Sequence, residues 1–488
     1  MKLRTAKLAA AIGAVTLAQA SLAGTDVFFT PLTASAPVQP ANSLAETEAP
    51  WVVPEGLAFR NSTSLREVEA DIAQSIVRVP GLGSGASMID MIAYDSSGKF
   101  LFLPHETNCG AGVSRYDIEN DTSVVLFRGD TKGCAGDWSN DWAAFDPSTW
   151  TPDGTLFLAE EWAGEGRVIE VLNPMADPAD IEIRELDSVA NVSHEGLRFS
   201  NDGRTLYFVD EDNSGSIYKL VLKNAHDYAG GGQTFALKVD AFNGDASKTY
   251  NNSVNANQPR TGAATWVALT DEDGNPLTRV NPFDNAGGPG SRAGRLAADE
   301  VKGTPYGRPE DIEVGRLANG HEVVYFAATS EQSVYTIEMM PGKKASKALV
   351  KVLLSDAGTP KNAGFPGTTG RINSPDNLAQ DRYGNMYVIE DSPNADAIGG
   401  DVWFARDVDG DGVAESADHF MSLRVAGSEA TGMIFNPKRP DEFSISIQHP
   451  ASTDLGSVPD GRGDAIWTFD MSALLEAAGP VTAKGPKR

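Results

Sequence analysis

Six segments of the chain share one pattern of polar and apolar positions. In each, a tight turn leads into a short apolar run that ends in acidic or polar residues. The segments are 95–106, 151–161, 200–212, 317–331, 381–391 and 436–449. Asp-Gly and Asn-Gly turns next to apolar runs are typical of β-hairpins. The pattern therefore predicts six repeated units of short antiparallel strands.

The spacing of these turns indicates the architecture. Five turns centre on a glycine and the sixth on Pro440, and the successive spacings are 56, 49, 117, 64 and 56 residues. Repeats of roughly 50 residues built from short strands are typical of β-propellers. We therefore predict an all-β, six-bladed propeller with inserted loops and a few short helices. A two-sheet sandwich is the main alternative, but sandwiches seldom reach this length.

The longest spacing indicates an insertion. It contains a polar stretch at 224–263 and a Gly/Pro-rich stretch at 284–294. Helical periodicity is short and confined to 63–75 and 471–477. We expect an N-terminal extension with the first strands at 24–84, a catalytic propeller at 85–470, and a C-terminal tail at 471–488.

The first 23 residues have the features of a secretory signal peptide. Lys2, Arg4 and Lys7 precede an apolar run from 8 to about 22, and small residues near Ala20 and Ala23 offer cleavage sites. The run is too short and too weakly apolar for a membrane anchor. We therefore expect a periplasmic or secreted protein.

The charge balance excludes some partners. Forty basic and 67 acidic residues give a formal net charge of −27. A chain this acidic is a poor partner for nucleic acid or an anionic membrane. An anionic substrate would need metal ions to invert the local field. We expect a monomer that acts on small molecules.

Acidic residues occur at matching positions of the repeats. Glu195, Glu310, Asp376 and Glu429 lie eight, ten, eight and eleven residues before the turns of their units, and Glu161 follows an apolar run. In a propeller these side chains would converge on the central funnel. Convergent carboxylates repel one another unless they are protonated or bind a cation. The pattern predicts a cluster of hard cations with oxygen ligands, although side-chain alternation keeps neighbouring acids from all facing the funnel.

A second candidate cation site is local. The segment 407–418 places Asp407, Asp409 and Asp411 at positions 1, 3 and 5 of a calcium-type loop, with Glu415 at position 9. A glycine at position 6 permits the sharp turn that folds oxygen ligands around one ion. The flanking residues favour strands rather than the helices of an EF-hand. We therefore predict a structural calcium loop within a blade.

The two cysteines allow two interpretations. Cys109 and Cys134 could form one disulfide, as expected after export, or Cys134 could ligate a metal as a thiolate.

Several blocks of the sequence resemble the PhoX-type alkaline phosphatases of bacteria. They are WTPDGTLFLAEE (150–161), SHEG (193–196), RLAADEVKGTPYGRPEDI (295–312), SPDNLAQDRYG (374–384) and the blocks that begin EATG and end IQHP (429–450). The resemblance implies a six-bladed propeller, export, phosphate monoester hydrolysis, and a funnel that holds calcium and iron(III). It implies metal ligation by Glu161, Glu195, Glu310, Asp376 and Glu429, and catalysis by Arg308 and Glu310.

The chain departs from that family at one important position. Asp146 stands, without gaps, where the family has an iron-bridging cysteine, and Cys134 matches only across an insertion of about twelve residues. The iron site is therefore either completed by Cys134 or built from oxygen ligands alone.

A calcium-dependent lactonase or esterase-like hydrolase and a non-catalytic binding propeller are the alternative functions. Because Arg308 precedes Glu310 by two residues across Pro309, an extended backbone would point both side chains into the funnel, where Arg308 would bind phosphate.

Overall fold

The computed structural model describes residues 26–72, 89–284, 292–342, 346–451 and 460–479. The predicted signal peptide, residues 1–23, lies outside the described residues. No helix within the described ranges is long and apolar enough to cross a membrane.

The described residues form short strands throughout. The first thirteen are β1 Trp51–Val52, β2 Ala58–Ser64, β3 Ala93–Tyr94, β4 Phe100–Pro104, β5 Gly112–Asp117, β6 Thr122–Arg128, β7 Phe145–Trp150, β8 Leu156–Glu160, β9 Val168–Val171, β10 Ile183–Glu185, β11 Leu197–Phe199, β12 Thr205–Val209 and β13 Ile217–Leu222. The next thirteen are β14 Gly232–Val239, β15 Gly262–Ala268, β16 Pro309–Arg316, β17 Glu322–Ala328, β18 Ser333–Met339, β19 Lys347–Ser355, β20 Pro375–Gln380, β21 Met386–Glu390, β22 Asp401–Arg406, β23 Ser416–Leu423, β24 Glu429–Phe435, β25 Glu442–Gln448 and β26 Ala465–Asp470.

Helices are few and short, as predicted. The α-helices of the described chain are α1 Leu65–Ile72, α2 Ala293–Glu300 and α3 Ser472–Ala478. Single 3-10 turns lie at Leu44–Thr47, Lys132–Ala135, Pro178–Asp180 and Thr329–Glu331. The fold class is therefore all-β.

The strands form five antiparallel sheets. Strands β3 to β6 and β7 to β10 each make a four-stranded sheet in chain order. Strand β1 pairs with β23 at the edge of the sheet of β20 to β23, and β2 pairs with β26 at the edge of the sheet of β24 to β26. Two sheets of the C-terminal part of the chain therefore each gain one N-terminal strand. The fifth sheet has nine strands in the order β11-β12-β13-β14-β15-β19-β18-β17-β16.

The sheets are arranged like the blades of a propeller. The edge strands β3, β7, β11, β16, β20 and β24 contact one another in that order, and β24 returns to β3. Apolar clusters fill the spaces between successive sheets, for example between the sheet of β20 to β23 and that of β24 to β26. Burying apolar side chains between sheets is what stabilises this packing. The ring of edge strands encloses the centre of the molecule.

The repeated turns lie where the sequence places them. Gly98, Gly154, Gly203, Gly320 and Gly384 have φ between 66° and 84°, which a residue with a side chain rarely adopts. Each turn joins the first strand of its unit to the second, as in β7 to β8. The predicted hairpin turns are therefore confirmed. The polar stretch 224–263 is not all loop, because it contains β14 and the start of β15.

Candidate metal centre

A central cavity of about 230 Å³ is lined almost entirely by charged side chains. Its carboxylates are Asp90, Glu106, Asp146, Glu161, Glu195, Glu310, Asp376, Asp391 and Glu429. The other lining residues are Trp162, Arg308, Gln448 and His449. All five predicted funnel acids therefore share one cavity, although more than 260 residues separate the first from the last. Their role as metal ligands stays a prediction.

A left-handed residue followed by a β-bulge recurs in three of the edge strands around this cavity. Ala144, Arg308 and Ser374 have left-handed φ values of 44°, 52° and 45°, and each directly precedes an edge strand. Two residues after each of them stands a cavity acid: Asp146, Glu310 or Asp376. That acid lies within a β-bulge of the edge strand. A bulge turns a side chain away from the regular alternation of the strand, which here aims the acid into the cavity.

The second acid of a unit follows its second strand. The backbone N–H groups of Glu161 and Asp391 donate to the carbonyls of Ala144 and Ser374, at 3.0 Å in both cases. The N–H of Thr329 donates in the same way to Arg308, so this unit carries a hydroxyl where the others carry a carboxylate. These bonds align the end of the second strand with the start of the first. Each of these three units can therefore present a pair of oxygen ligands.

Among the described residues of the cavity, three groups of carboxylates are compact enough to hold cations. Within each group, one oxygen from every member lies within 4.8 Å of the others. The groups are Asp90–Glu106–Asp146, Asp146–Glu161–Glu195 and Glu195–Glu211–Glu310. Asp146 and Glu195 each belong to two groups, so the three candidate positions form a connected row.

Burial makes these negative charges unfavourable without cations. Desolvation raises the pKa of Asp90 to about 7, and it raises the pKa values of Asp146 and Glu195 well above their ordinary range. Repulsion by the neighbouring carboxylates raises them further. The pKa of Glu161 rises for the same two reasons. At neutral pH the cavity must therefore bind either protons or metal ions.

The donor set fits hard cations. Buried oxygens of Asp146 and Glu195 accept no hydrogen bond within the described protein. A buried oxygen of Glu310 has an ion pair with Arg308 but no hydrogen bond of good geometry. Carboxylate oxygens are the preferred ligands of calcium, and they also suit other hard ions. The residues present therefore fit a group of metal ions with oxygen ligands.

Arg308 provides the cation of this cavity wall. Its Nη2 lies 2.5 Å from Glu211 Oε1, and its Nε lies 3.0 Å from Glu310 Oε1. The expected extended backbone at Arg308 is wrong, because its φ is 52°. The two side chains meet nevertheless, since the bulge after Pro309 turns Glu310. The left-handed conformation is strained for a residue with a side chain, and such strain clusters at functional sites.

Strand alternation separates neighbouring acids, as predicted. Glu160 precedes Glu161 but pairs with Arg167, whose Nη2 lies 2.8 Å away. Glu390 precedes Asp391 and accepts from the indole N–H of Trp403 at 2.8 Å. Both acids therefore support the sheets, and the next residue in each case faces the cavity.

The prediction of Cys134 as a metal ligand is wrong. Cys134 is bonded to Cys109, with their Cα atoms 5.5 Å apart. Both sulfurs are consumed in the disulfide, so no thiolate remains to bind a metal. The disulfide interpretation is confirmed, and the central site consists of oxygen ligands. Asp146, at the position of the family's bridging cysteine, joins two of the carboxylate groups instead.

The predicted calcium loop connects β22 to β23, so strands flank it as expected. Oxygens of Asp407, Asp409 and Glu415 lie within 4.8 Å of one another. Asp411 is outside this group, and its Oδ1 accepts from the N–H of Val413 at 2.9 Å. Three of the four predicted ligands are therefore brought together.

Histidines near the cavity have supporting positions. The Nδ1–H of His449 donates to the carbonyl oxygen of Gly427 at 2.8 Å, because a carbonyl oxygen can only accept. Its Nε2 lies 3.7 Å from Glu429. Buried His194 packs on Phe208, and burial lowers its pKa to about 3, so it is neutral.

Sequence reasoning missed two acids of the cavity, Asp90 and Glu106. The sequence pattern also places Glu211 and Asp391 at strand ends beside the funnel, although it does not assign them as ligands. Glu106, Glu211 and Asp391 occupy the same place as Glu161, directly or shortly after the second strand of a unit. Applying the position of Glu161 to the first unit would therefore have found Glu106 as well.

Comparison with solved structures gives only weak similarities. A nutrient-binding protein of Bacteroides thetaiotaomicron is 10% identical, with 85% of this chain and 76% of that chain covered and a TM-score of 0.42. A gluconolactonase of Xanthomonas campestris is 13% identical, with 89% and 99% covered and a TM-score of 0.39. The calcium-binding protein regucalcin of Agrobacterium tumefaciens is 10% identical, with 80% and 92% covered and a TM-score of 0.36. None of these similarities is strong enough to assign a function.

The sequence itself matches a known family. No curated protein matches the chain. The family model described as "Alkaline phosphatase PhoX" matches residues 136–451, which is well over half of the chain. The match includes Asp146, Glu161, Glu195, Arg308 and the later cavity acids. The chain therefore belongs to the PhoX alkaline phosphatase family.

Proposed function

We propose that this protein is an exported, metal-dependent phosphatase that hydrolyses phosphate monoesters in the central cavity. The observation that carries the proposal is the row of three overlapping carboxylate groups beside one arginine. Family membership supports the reaction class. Small phosphorylated molecules are the proposed substrates, and the chain acts as a monomer.

The carboxylates hold the cations in this proposal. Asp146 and Glu195 each serve two neighbouring positions, and Glu161, Glu211 and Glu310 complete the groups on one side. Metal ions bound there supply Lewis-acid stabilisation of phosphoryl oxygens and a nucleophile that is active at moderate pH. Calcium suits the oxygen ligands, and iron(III), also a hard ion, suits them without a thiolate.

Arg308 binds the substrate phosphate in this proposal. Its planar guanidinium can donate two parallel hydrogen bonds to phosphoryl oxygens. Glu211 and Glu310 orient the guanidinium through the ion pairs at 2.5 and 3.0 Å. Their negative charges also hold its pKa above the ordinary value, so the group stays charged. Glu310 therefore acts both as a ligand and as the residue that positions Arg308.

We also propose that the propeller has six blades. The two ends of the nine-stranded sheet, β11 and β16, are edge strands of the central ring. Strand β15 pairs with β14 on one side and with β19 on the other, so it is the middle strand of the nine. Removing β15 would leave β11 to β14 and β16 to β19 as two four-stranded units. The insertion in the long spacing therefore joins two blades into one sheet.

Turnover of p-nitrophenyl phosphate by the purified protein tests the proposed function. We expect turnover that a chelator abolishes and added metal restores. Arg308→Lys should reduce turnover while the metal content stays the same. Asp409→Asn, in the distant hairpin loop, is the matched acidic control and should retain turnover. Bound calcium without phosphatase turnover would overturn the proposal and favour a lactonase or esterase-like hydrolase.

A further inference from the structure

An exposed aromatic side chain, Trp162, lies among the residues that line the central cavity. Trp162 is 37% exposed, whereas Asp146, Glu161 and Glu195 are at most 6% exposed. Among the described residues that line the cavity, Trp162 is the one with a large apolar ring. We take this exposed indole to mark the mouth of the cavity.

The position of this indole is fixed from two sides. Its Nε1–H donates to a carboxylate oxygen of Glu106, which holds the polar edge of the ring toward the cavity acids. The backbone on either side of Trp162 is held by buried Arg292. Its guanidinium donates to the carbonyls of Glu161 and Ala163 at 2.6 and 3.1 Å. The ring is therefore placed before any ligand binds, which lowers the ordering cost of binding.

The direction in which a substrate enters would bring its leaving group close to the indole of Trp162. In the proposed function the phosphate must reach the cations that the buried acids hold. It must also reach the guanidinium of Arg308, whose side chain is 39% exposed at the mouth. The leaving group of a monoester must then extend outward, past the partly exposed residues. A planar ring on that leaving group can stack on the indole, since aromatic faces attract one another in offset geometry.

We propose that Trp162 is a specificity-determining residue that favours phosphate monoesters whose leaving group carries a planar ring. The inference rests on the proposed function and adds a substrate class to it. Stacking of a nucleobase on an aromatic side chain is typically strong enough to change binding about tenfold or more. The preference should appear in KM, because the ring would contact the leaving group rather than the reacting phosphorus and would bind substrate and transition state alike.

Adenosine 5′-monophosphate and ribose 5-phosphate form a matched pair of probes. Both carry the phosphate on the 5′ oxygen of ribose. They differ in the adenine base, which ribose 5-phosphate lacks. With the metal-loaded protein we expect a KM about tenfold lower for the nucleotide. Trp162→Ala should remove this difference, and Trp162→Phe should retain most of it. Both variants are assayed at saturating metal, because Trp162 donates a hydrogen bond to Glu106, a member of one carboxylate group. Under that condition the inhibition constant of inorganic phosphate should stay the same in both variants.

The two variants separate stacking from a structural role. Phenylalanine keeps the ring but loses the hydrogen bond to Glu106. If Trp162→Phe behaves like Trp162→Ala, or if phosphate inhibition weakens in both, Trp162 supports Glu106 and the inference is overturned. Equal KM values for the two substrates in the wild type also overturn it, while the proposed phosphatase function stands. If neither substrate is hydrolysed, the proposed function fails and the inference fails with it.

Discussion

Two acidic clusters of this chain differ in how their charges are compensated. In the hairpin loop at 407–415, Asp407 accepts from the N–H groups of Asp411 and Gly412 at 3.1 and 2.8 Å, and Glu415 accepts from Val408. In the central cavity, buried oxygens of Asp146 and Glu195 accept no such bond within the described protein. Burial raises the pKa of Asp407 to about 7, and these backbone amides offset only part of that effect, so the loop carboxylates are compensated in part. The cavity acids depend on metal ions or protons.

The largest effect should follow removal of the carboxylate that two groups share. We expect Asp146→Asn to lower phosphatase turnover by about 100-fold or more, because weakening even the partners of metal ligands costs 10–100-fold. The bound metal should fall by at least one equivalent. Steady-state kinetics and elemental analysis of the variant provide the measurement. Full turnover in Asp146→Asn would show that the row of groups is not the active site.

Arg308→Lys should have the next largest effect. Lysine keeps the charge but loses the planar fork that binds two phosphoryl oxygens. A hydrogen bond to a charged group contributes about 1.5–3 kcal/mol, which corresponds to a fall in kcat/KM of roughly 10–100-fold. The metal content should not change. An equal loss of metal and turnover would show that Arg308 maintains the ligands rather than binding substrate.

The metal-free protein should become less stable as pH rises. Asp90 has a raised pKa of about 7 in the folded state, against 3.8 ordinarily, so the folded state binds a proton that the unfolded state has released. This contribution is complete below about pH 4 and is lost as pH rises through 7. Thermal melts in chelator between pH 4 and 8 should show the decline. Saturating calcium should flatten the curve, and an unchanged slope with calcium would argue against cation binding.

The smallest effect should be at the hairpin loop. We expect Asp409→Asn to change the free energy of unfolding by about 0.5 kcal/mol or less, as for other surface substitutions. Turnover should stay at the wild-type level, because the backbone N–H groups still hold Asp407. Calorimetric titration would show whether one calcium equivalent is lost. A large loss of turnover in Asp409→Asn would show that the hairpin loop contributes to catalysis, contrary to the distinction between the two clusters.

The sequence predicted the parts of the fold that depend on local chemistry. The glycine turns, the all-β class and the loop between β22 and β23 follow from residues that are close in the chain. Convergence of Glu195 and Glu310 followed from their equivalent places before the turns of the repeat, and Glu161 was selected at the end of its apolar run. The merging of two units through β15 could not be predicted, because it depends on long-range pairing of an inserted strand.

The site was harder to predict where the backbone is unusual. The left-handed conformation at Arg308 runs against the extended preference of a residue before proline. The bulge that aims Glu310 is a tertiary feature with no fixed sequence pattern. Asp90 lies outside the six turn segments, so the repeat gave no reason to select it. Cys134 could be assigned only when its distance to Cys109 was known.

The metal content of the purified protein tests the central claim most directly. Inductively coupled plasma mass spectrometry, after gel filtration without added metal, counts the ions that stay bound to each chain. We predict more than one equivalent of calcium, with or without iron, in the wild type and in Asp409→Asn. Asp146→Asn should retain at least one equivalent less. A wild-type protein that hydrolyses phosphate monoesters with no bound metal would contradict the account.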